Sequence, residues 1–425
     1  MERILYENCL AILKNELVVA LGCTEPAAIA YAAARAREVL DGPPVHCTAL
    51  CSGNVIKNVM GVSVPNAGGL RGIEAAATLG VVGGDPVRAL QVLESVTPAH
   101  VERTKALLDQ GFCTCRLAEG MEGLYIEVTL ESADGHCVAA ELRDRHSHIT
   151  RITRDGQTLF SDGDEPETAA EGGDRSLLTI ESILQFCDEV SVPELEAILE
   201  RQISYNTAIS EEGLRGRYGA QIGRVLLESG SPEDVRIRAR AAAAAGSDAR
   251  MGGCPLPVVI NSGSGNQGIT ITMPLVEYAK KYNIGREGLY RALAAANLIA
   301  IHQKRYIGSL SAYCGAVCAA CGAGAGIAYM LGHSYDLVSR TITNTIATIG
   351  GMVCDGAKPS CASKIAAAVE CALVAYETAK DGHVFQPGEG LVKDNVEKTI
   401  ESVGRMGRAG MRETDLEILH IMLGR

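Results

Sequence analysis

Tyr125-Ile126-Glu127-Val128-Thr129-Leu130 alternates apolar and polar residues, and Val138 to Leu142 follows as a second short apolar run of the same kind. A period of two turns one side of a chain to a core and the other to water, which is how a half-buried strand is written. Period-two text extends from Phe112 to Phe160, and it predicts a small antiparallel meander. Downstream, residues 161–175 are acidic and Gly-rich and read as a linker. Beyond Ser176 the apolar spacing turns helical over 177–189, 192–208, 219–228, 235–245, 286–303, 322–331, 336–349 and 364–378, with glycine-rich breaks between. Upstream, residues 3–22 carry Ile4, Leu5, Ile12, Leu13 and Leu17 at helical spacing, an Ala-rich helix runs to about Leu40, and another lies near 73–79. The expected fold is α+β: an N-terminal α/β region with a small antiparallel meander over 1–165, then a large all-α domain over 176–425.

A length of 425 residues suits two or three domains. The chain is 47% apolar but only 4% aromatic, with no Trp and 47 glycines, so its cores must be lined by Ala and Gly with helices packed close together. A formal charge of −12 offers no basic stripe, which argues against nucleic acid and anionic membrane surfaces as partners and leaves a small polar substrate open. No apolar run reaches the length of a membrane span, and residues 1–14 lack the layout of a secretory signal, so the chain reads as cytoplasmic. A homodimer is compatible with this reading.

Fifteen cysteines in a reducing compartment are not explained by disulfides. Cys9, Cys47, Cys51, Cys113, Cys115, Cys137, Cys187 and Cys371 are scattered and read as small buried hydrophobes. Others fall in loops. Cys23, in Gly22-Cys-Thr-Glu-Pro-Ala27, stands just ahead of a helix with Thr24 as N-cap and Pro26 in the first turn, a position that favours a thiolate. Cys314, Cys318 and Cys321 follow Ser311-Ala-Tyr, and Gly350-Gly-Met-Val-Cys354-Asp-Gly-Ala-Lys-Pro-Ser-Cys361 brackets its two cysteines with Gly, Asp and Pro. Such loops let backbone N–H groups reach cluster sulfurs. The spacing of 314, 318 and 321 superficially fits a radical S-adenosylmethionine loop, but Ala320 stands where those loops carry an aromatic. Zinc would want four closed ligands, and no histidine lies in these loops. Between them, Asn261-Ser-Gly-Ser-Gly-Asn-Gln-Gly268 interleaves glycines with amides and hydroxyls, which suits a carboxylate or phosphate as well as a plain turn.

These motifs, together with Asn54, Lys57-Asn58 and Gly308-Ser-Leu-Ser-Ala-Tyr-Cys-Gly315, resemble the L-cysteine desulfidase family, related to the α chain of iron–sulfur-dependent L-serine dehydratases. The resemblance runs essentially end to end. It implies a [4Fe-4S] cluster held by Cys314, Cys354 and Cys361 with one iron open to substrate, and it leaves Cys318 and Cys321 structural. The gap from Cys354 to Cys361 is shorter than in the serine dehydratases, and their β domain and Ser-rich histidine motif are missing from this sequence, which favours cysteine as substrate. The implied reaction is a lyase reaction, β-elimination from L-cysteine giving sulfide, pyruvate and ammonia. Cys23 is expected to be the base, with a fourth, labile ligand or a structural cysteine as its other possible roles. Asn54, Lys57, Asn58, Ser264, Asn266 and Gln267 are expected to grip the substrate's carboxylate and amine, although Lys57 also fits a solvated surface charge.

Three other readings stay open. One is L-serine deamination on the same cluster. A non-catalytic iron or redox sensor would use the same cysteines, yet no basic helix-turn-helix pattern accompanies them. A pyridoxal-phosphate eliminase would need a Schiff-base lysine in a Ser-x-Lys context, whereas Lys57 lies in Val-Ile-Lys-Asn.

Overall fold

The computed structural model describes residues 1–121, 123–162, 172–308 and 310–424. Residues 163–171 of the expected linker, and Ser309 of the Gly308–Gly315 motif, lie outside the described residues. The chain opens with α1 (Arg3–Glu16), β1 (Val19–Leu21), α2 (Thr24–Val39), β2 (Pro44–Cys51), α3 (Gly53–Val59), α4 (Ile73–Gly83) and α5 (Pro98–Asp109). Strands β3 (Cys113–Leu117), β4 (Tyr125–Ser132), β5 (Cys137–Arg143), β6 (Ile149–Arg154) and β7 (Gln157–Ser161) follow. The rest is helical except for β8 (Pro257–Val259): α6 (Ile180–Glu189), α7 (Val192–Arg215), α8 (Ile222–Ser229), α9 (Val235–Met251), α10 (Gly265–Tyr282) and α11 (Arg286–Ile307). After these come α12 (Gly315–Met330), α13 (Tyr335–Ile349), α14 (Cys361–Lys380), α15 (Val396–Arg405) and α16 (Arg412–Leu423). The fold is α+β, as the change of period implies.

The larger sheet has the order β3-β2-β4-β5-β6-β7. Strands β4 to β7 form the expected antiparallel meander, but β3 runs parallel to β2, with Cys47 opposite Cys113. A parallel partner needs a long crossover, and α3 to α5 supply it. Ile126, Val128 and Leu130 point from β4 into a core closed by the alanines of α2 and α4. At Gly80 a Cβ would run into the Ala30 backbone, so these two helices touch through glycine. The helical part uses the same device: a Cβ at Gly213 would meet the Ala245 carbonyl, and one at Gly322 the Ala296 carbonyl. The Ala/Gly composition is thus spent on backbone-to-backbone approach, where dispersion contacts replace large side chains.

The two cores exchange elements. Helix α1 buries Cys9, Leu10, Ile12 and Leu13 in the helical core, while Leu419 of the last helix joins the core under the sheet. Residues 17–21, expected as the end of the first helix, fall outside it: α1 stops at Glu16, and Val19 to Leu21 form β1, paired antiparallel with β8. In this two-stranded ribbon Leu21 stands opposite Pro257 and the Ile260 N–H donates to the Val18 carbonyl, so one short pairing anchors both the Gly22-Cys23 turn and the Asn261–Gly268 loop. All fifteen cysteines are free thiols; of the scattered ones, Cys9, Cys47, Cys51, Cys113 and Cys187 are buried, and Cys115, Cys137 and Cys371 are half-buried. Among the described residues, no helix is long and apolar enough to cross a membrane.

Candidate active site

Segments far apart in sequence line one cavity. Cys23, Asn58, Ser264, Asn266, Gln267, Cys314, Cys354 and Cys361 all line it. Two expected residues do not. Asn54 faces a neighbouring cavity with Leu117, Arg408 and Asp415, and Lys57 is buried in an ion pair with Asp415 of α16. Lys57 is therefore neither a surface charge nor part of the cavity wall; it ties the last helix to α3.

The cysteine loops meet through an isolated antiparallel bridge between Tyr313 and Val353. Cys314 then caps α12, Cys361 is the first residue of α14, and Cys354 lies between them on the second loop. The Cys314 thiol donates to Cys354, and with help from Lys57, the Gly356 N–H and Lys364 this holds Cys354 below the usual thiol range in spite of burial. Cys314 is pushed up by the same bond and by burial. Cys361 stands further along the wall, its Sγ donating to the Gly356 carbonyl at 3.7 Å. Cys318 and Cys321 are fully buried within α12, among the core residues.

Cys23, whose small cluster with Val62 and Met251 packs against Cys361, is itself the N-cap of α2, one residue earlier than the sequence suggests, and its side chain makes no capping bond. Its thiol donates to Glu25 Oε2 at 3.2 Å. The expected thiolate is not found: burial and the Glu25 charge push the Cys23 thiol well above its ordinary value, outweighing Arg250. Position at a helix N-terminus loses here to desolvation and a like charge. Burial alone would raise Glu25 too, but His146, Cys23 and Arg250 hold it down to about 2. Asn58 Nδ2 donates to Glu25 Oε1 at 3.0 Å, and Thr24 Oγ1 to Oε2 at 3.0 Å. Arg250 donates from Nε to the Gly22 carbonyl at 2.9 Å and from Nη1 to Asn266 Oδ1 at 3.2 Å.

The Asn261–Gly268 loop is a tight turn and a helix start in one. Ser262 and Gly263 take left-handed backbone, Asn261 and Ser264 exchange backbone hydrogen bonds, and Ser264 caps α10. Asn261 faces away from the cavity into a buried amide chain with Asn297 and Gln202, which anchors the loop. Sequence reasoning gave no role to Glu25, His146, Arg250, Lys304 or Tyr313, all of which line the cavity. Glu25 and Tyr313 lay inside motifs already singled out; His146, in the β5–β6 turn, carries no local signal. Burial lowers the Lys304 amine from its ordinary value, and Cys318, Cys354 and Cys314 oppose that shift.

Two buried polar atoms on these walls have neither a hydrogen-bond partner nor an ion-pair partner among the described residues: Gln267 Oε1 and Tyr313 Oη. Buried polar groups are almost always paired, so their convergence on one cavity marks a site shaped for a polar ligand. No three His, Cys, Asp or Glu side chains among the described residues are grouped closely enough for a single metal ion. A mononuclear site draws its ligands to one point, whereas a cluster spreads them over several irons. Three thiols on one wall, with Lys304 and Lys364 beside them, fit the second kind.

The α+β chain thus combines an Ala/Gly-packed helical core with a cysteine-lined cavity. The family model for the serine dehydratase alpha chain covers residues 88–420, and the protein belongs to this family of lyase-type enzymes. Full-length relatives carry the designation UPF0597 protein. One from Lachnoclostridium phytofermentans is 50% identical over 420 residues, 99% of this chain and 100% of that one. Another, from Desulfitobacterium hafniense, is 48% identical over 418 residues, 98% of this chain and 97% of its own.

Proposed function

We propose that this chain is an iron–sulfur-dependent lyase that removes the β-substituent of a small amino acid, with L-cysteine the preferred substrate and sulfide, pyruvate and ammonia the products. The observation that carries the reading is the cavity itself: Cys314, Cys354, Cys361 and Cys23 line it together, with the unpaired Gln267 and Tyr313 atoms among them. Cys314, Cys354 and Cys361 would hold the cluster. When bound, it supplies an open iron that acts as a Lewis acid toward the leaving group.

The remaining roles fall to the protein. Gln267 and Asn266, at the start of α10, orient the substrate's carboxylate where backbone N–H groups and Arg250 add positive potential. Cys23 takes the α-proton. Tyr313, almost wholly buried, offers its hydroxyl to the substrate rather than to the protein.

The family description favours a second reading, L-serine as substrate, with loss of water rather than sulfide. Anaerobic reconstitution with iron and sulfide, followed by assays on L-cysteine and L-serine, separates them. The expected result is pyruvate from both, with kcat/KM larger for L-cysteine and sulfide formed in equal amount. Larger kcat/KM for L-serine would reverse the order, and no pyruvate from either by a cluster-loaded protein would remove the lyase reading.

A further inference from the structure

Cys23 is held protonated in the resting protein, which leaves the proposed elimination without a ready base. Among the described residues its thiol donates to Glu25 Oε2 at 3.2 Å. The two oxygens of Glu25 face different ways. Oε2 takes Cys23 and Thr24, while Oε1 takes Asn58 and stands 3.7 Å from His146 Nε2. Cys23, Glu25 and His146 are each less than a tenth exposed. His146 also lines a second cavity, beside Asn15, Glu16, Arg145 and Arg175.

We infer that the base of the elimination is a relay, in which Cys23 receives the substrate's α-proton as it passes its own to Glu25, and His146 carries the proton from Glu25 toward the second cavity. The inference rests on the function proposed above. In the step, the Cα–H bond breaks and a new S–H bond forms at Cys23 while the original S–H proton moves to Glu25 Oε2. The Cα–H electron pair becomes the Cα=Cβ bond, and the pair of the breaking Cβ–S bond departs with sulfide. The Glu25 carboxyl proton crosses from Oε2 to Oε1 by a turn of the carboxyl group and passes to His146 Nε2. The ring gives up its Nδ1 proton toward the second cavity and is left as the Nε2–H tautomer, so proton exchange with that cavity restores the starting tautomer before the next turnover.

The geometry gives each member a distinct signature. Asn58 and Thr24 fix the carboxylate by hydrogen bonds that do not depend on substrate, so Glu25→Gln preserves the shape of the site while removing the proton acceptor. Proton transfer of this kind is worth about 10²- to 10⁴-fold in rate. In the cluster-loaded full chain, Glu25→Gln is expected to lower kcat for L-cysteine about 10²-fold or more, with KM within about threefold and the cluster absorbance unchanged. The isotope effect with α-deuterated L-cysteine should rise, and Glu25→Asp should restore part of kcat. His146→Gln should leave that substrate isotope effect in place and enlarge the solvent isotope effect.

Glu25→Gln with kcat within about tenfold of wild type and an unchanged isotope effect would overturn the relay while leaving the lyase reading intact. Wild-type protein that turns over neither L-cysteine nor L-serine would remove the lyase reading and the relay with it. A test independent of turnover uses metal-free protein labelled with ¹⁵N-histidine: the His146 ring resonances should move in Glu25→Gln, and unmoved resonances would break the outlet.

Discussion

Tyr313 and Val353 pair as an isolated antiparallel bridge, and this single pairing carries Cys314 and Cys354 onto facing loops. The bonds on either side are reciprocal: the Cys314 N–H donates to the Met352 carbonyl at 2.9 Å, and the Cys354 N–H to the Ala312 carbonyl at 2.6 Å. Backbone pairing thus sets the separation of the two thiols before any metal arrives. Cys354→Ala removes the thiol held lowest of the pair, and anaerobic reconstitution should then give protein with less than about half the wild-type iron and no stable cluster absorbance. Cys318→Ala, one turn into α12 and fully buried, should retain both. Equal iron in the two variants would remove Cys354 from the ligand set.

The change from period-two to helical spacing was enough to read the α+β class and the meander, because both depend on local alternation. The parallel strand β3 was not legible, since strand direction depends on a crossover rather than on pattern. Helix α10 was hidden for a different reason. Its first turn, Gly265 to Gly268, is written in loop residues, yet a Cβ at Gly268 would collide with the Val259 carbonyl, so glycine serves packing there. At the site, motif density pointed to eight residues that share the cavity. Lys57 misled because a lysine beside two asparagines looks like a substrate grip, and its partner lies 358 residues away. The reversal at Cys23 follows from burial and from Glu25, neither of which helix-terminus reasoning weighs.

Gly356 follows Cys354 by two residues at φ +97°, and a Cβ there would overlap the Lys57 carbonyl. Left-handed backbone and close approach both demand glycine. Gly356→Ala should displace the loop that carries Cys354 and reduce iron uptake, together with a loss of about 1–3 kcal/mol in stability. Gly388→Ala is the control: φ is +94° but nothing lies within 4 Å, so it should destabilise without altering iron content. Iron content unchanged in Gly356→Ala would show that the loop adapts.

The ion pair of Lys57 with Asp415 joins α3 to α16, with Lys57 only 2% exposed. Removing one partner leaves the other charge buried, which typically costs about 3–5 kcal/mol, whereas replacing both with apolar residues is often close to neutral. Asp415→Leu should therefore lower the unfolding midpoint strongly, and adding Lys57→Met should restore most of it. KM for the amino acid should stay within about twofold in the double variant, because Lys57 does not line the cavity. A large rise in KM with normal stability would return Lys57 to substrate binding.

Asp248, fully buried in α9, accepts a hydrogen bond from the Gly223 N–H at 3.1 Å, and burial pushes its carboxyl from 3.8 up to about 6 despite the backbone donors. A folded-state value above the unfolded one means that the native protein binds the proton more tightly. Its contribution to stability is complete below pH 3.8 and is lost as pH rises through about 6. Tighter proton binding by that margin is worth about 3 kcal/mol at most. Asp248→Asn keeps an acceptor for Gly223 and cannot ionise, so its unfolding midpoint minus that of wild type should rise between pH 3.8 and about 6 and stay level above. Glu25 has the opposite sign, contributing stability above pH 4.5 that is lost as pH falls through about 2, but it is present in both proteins and cancels in the difference. A difference that is flat from pH 3.8 to 6 would mean that Asp248 ionises in the folded protein as easily as in the unfolded chain.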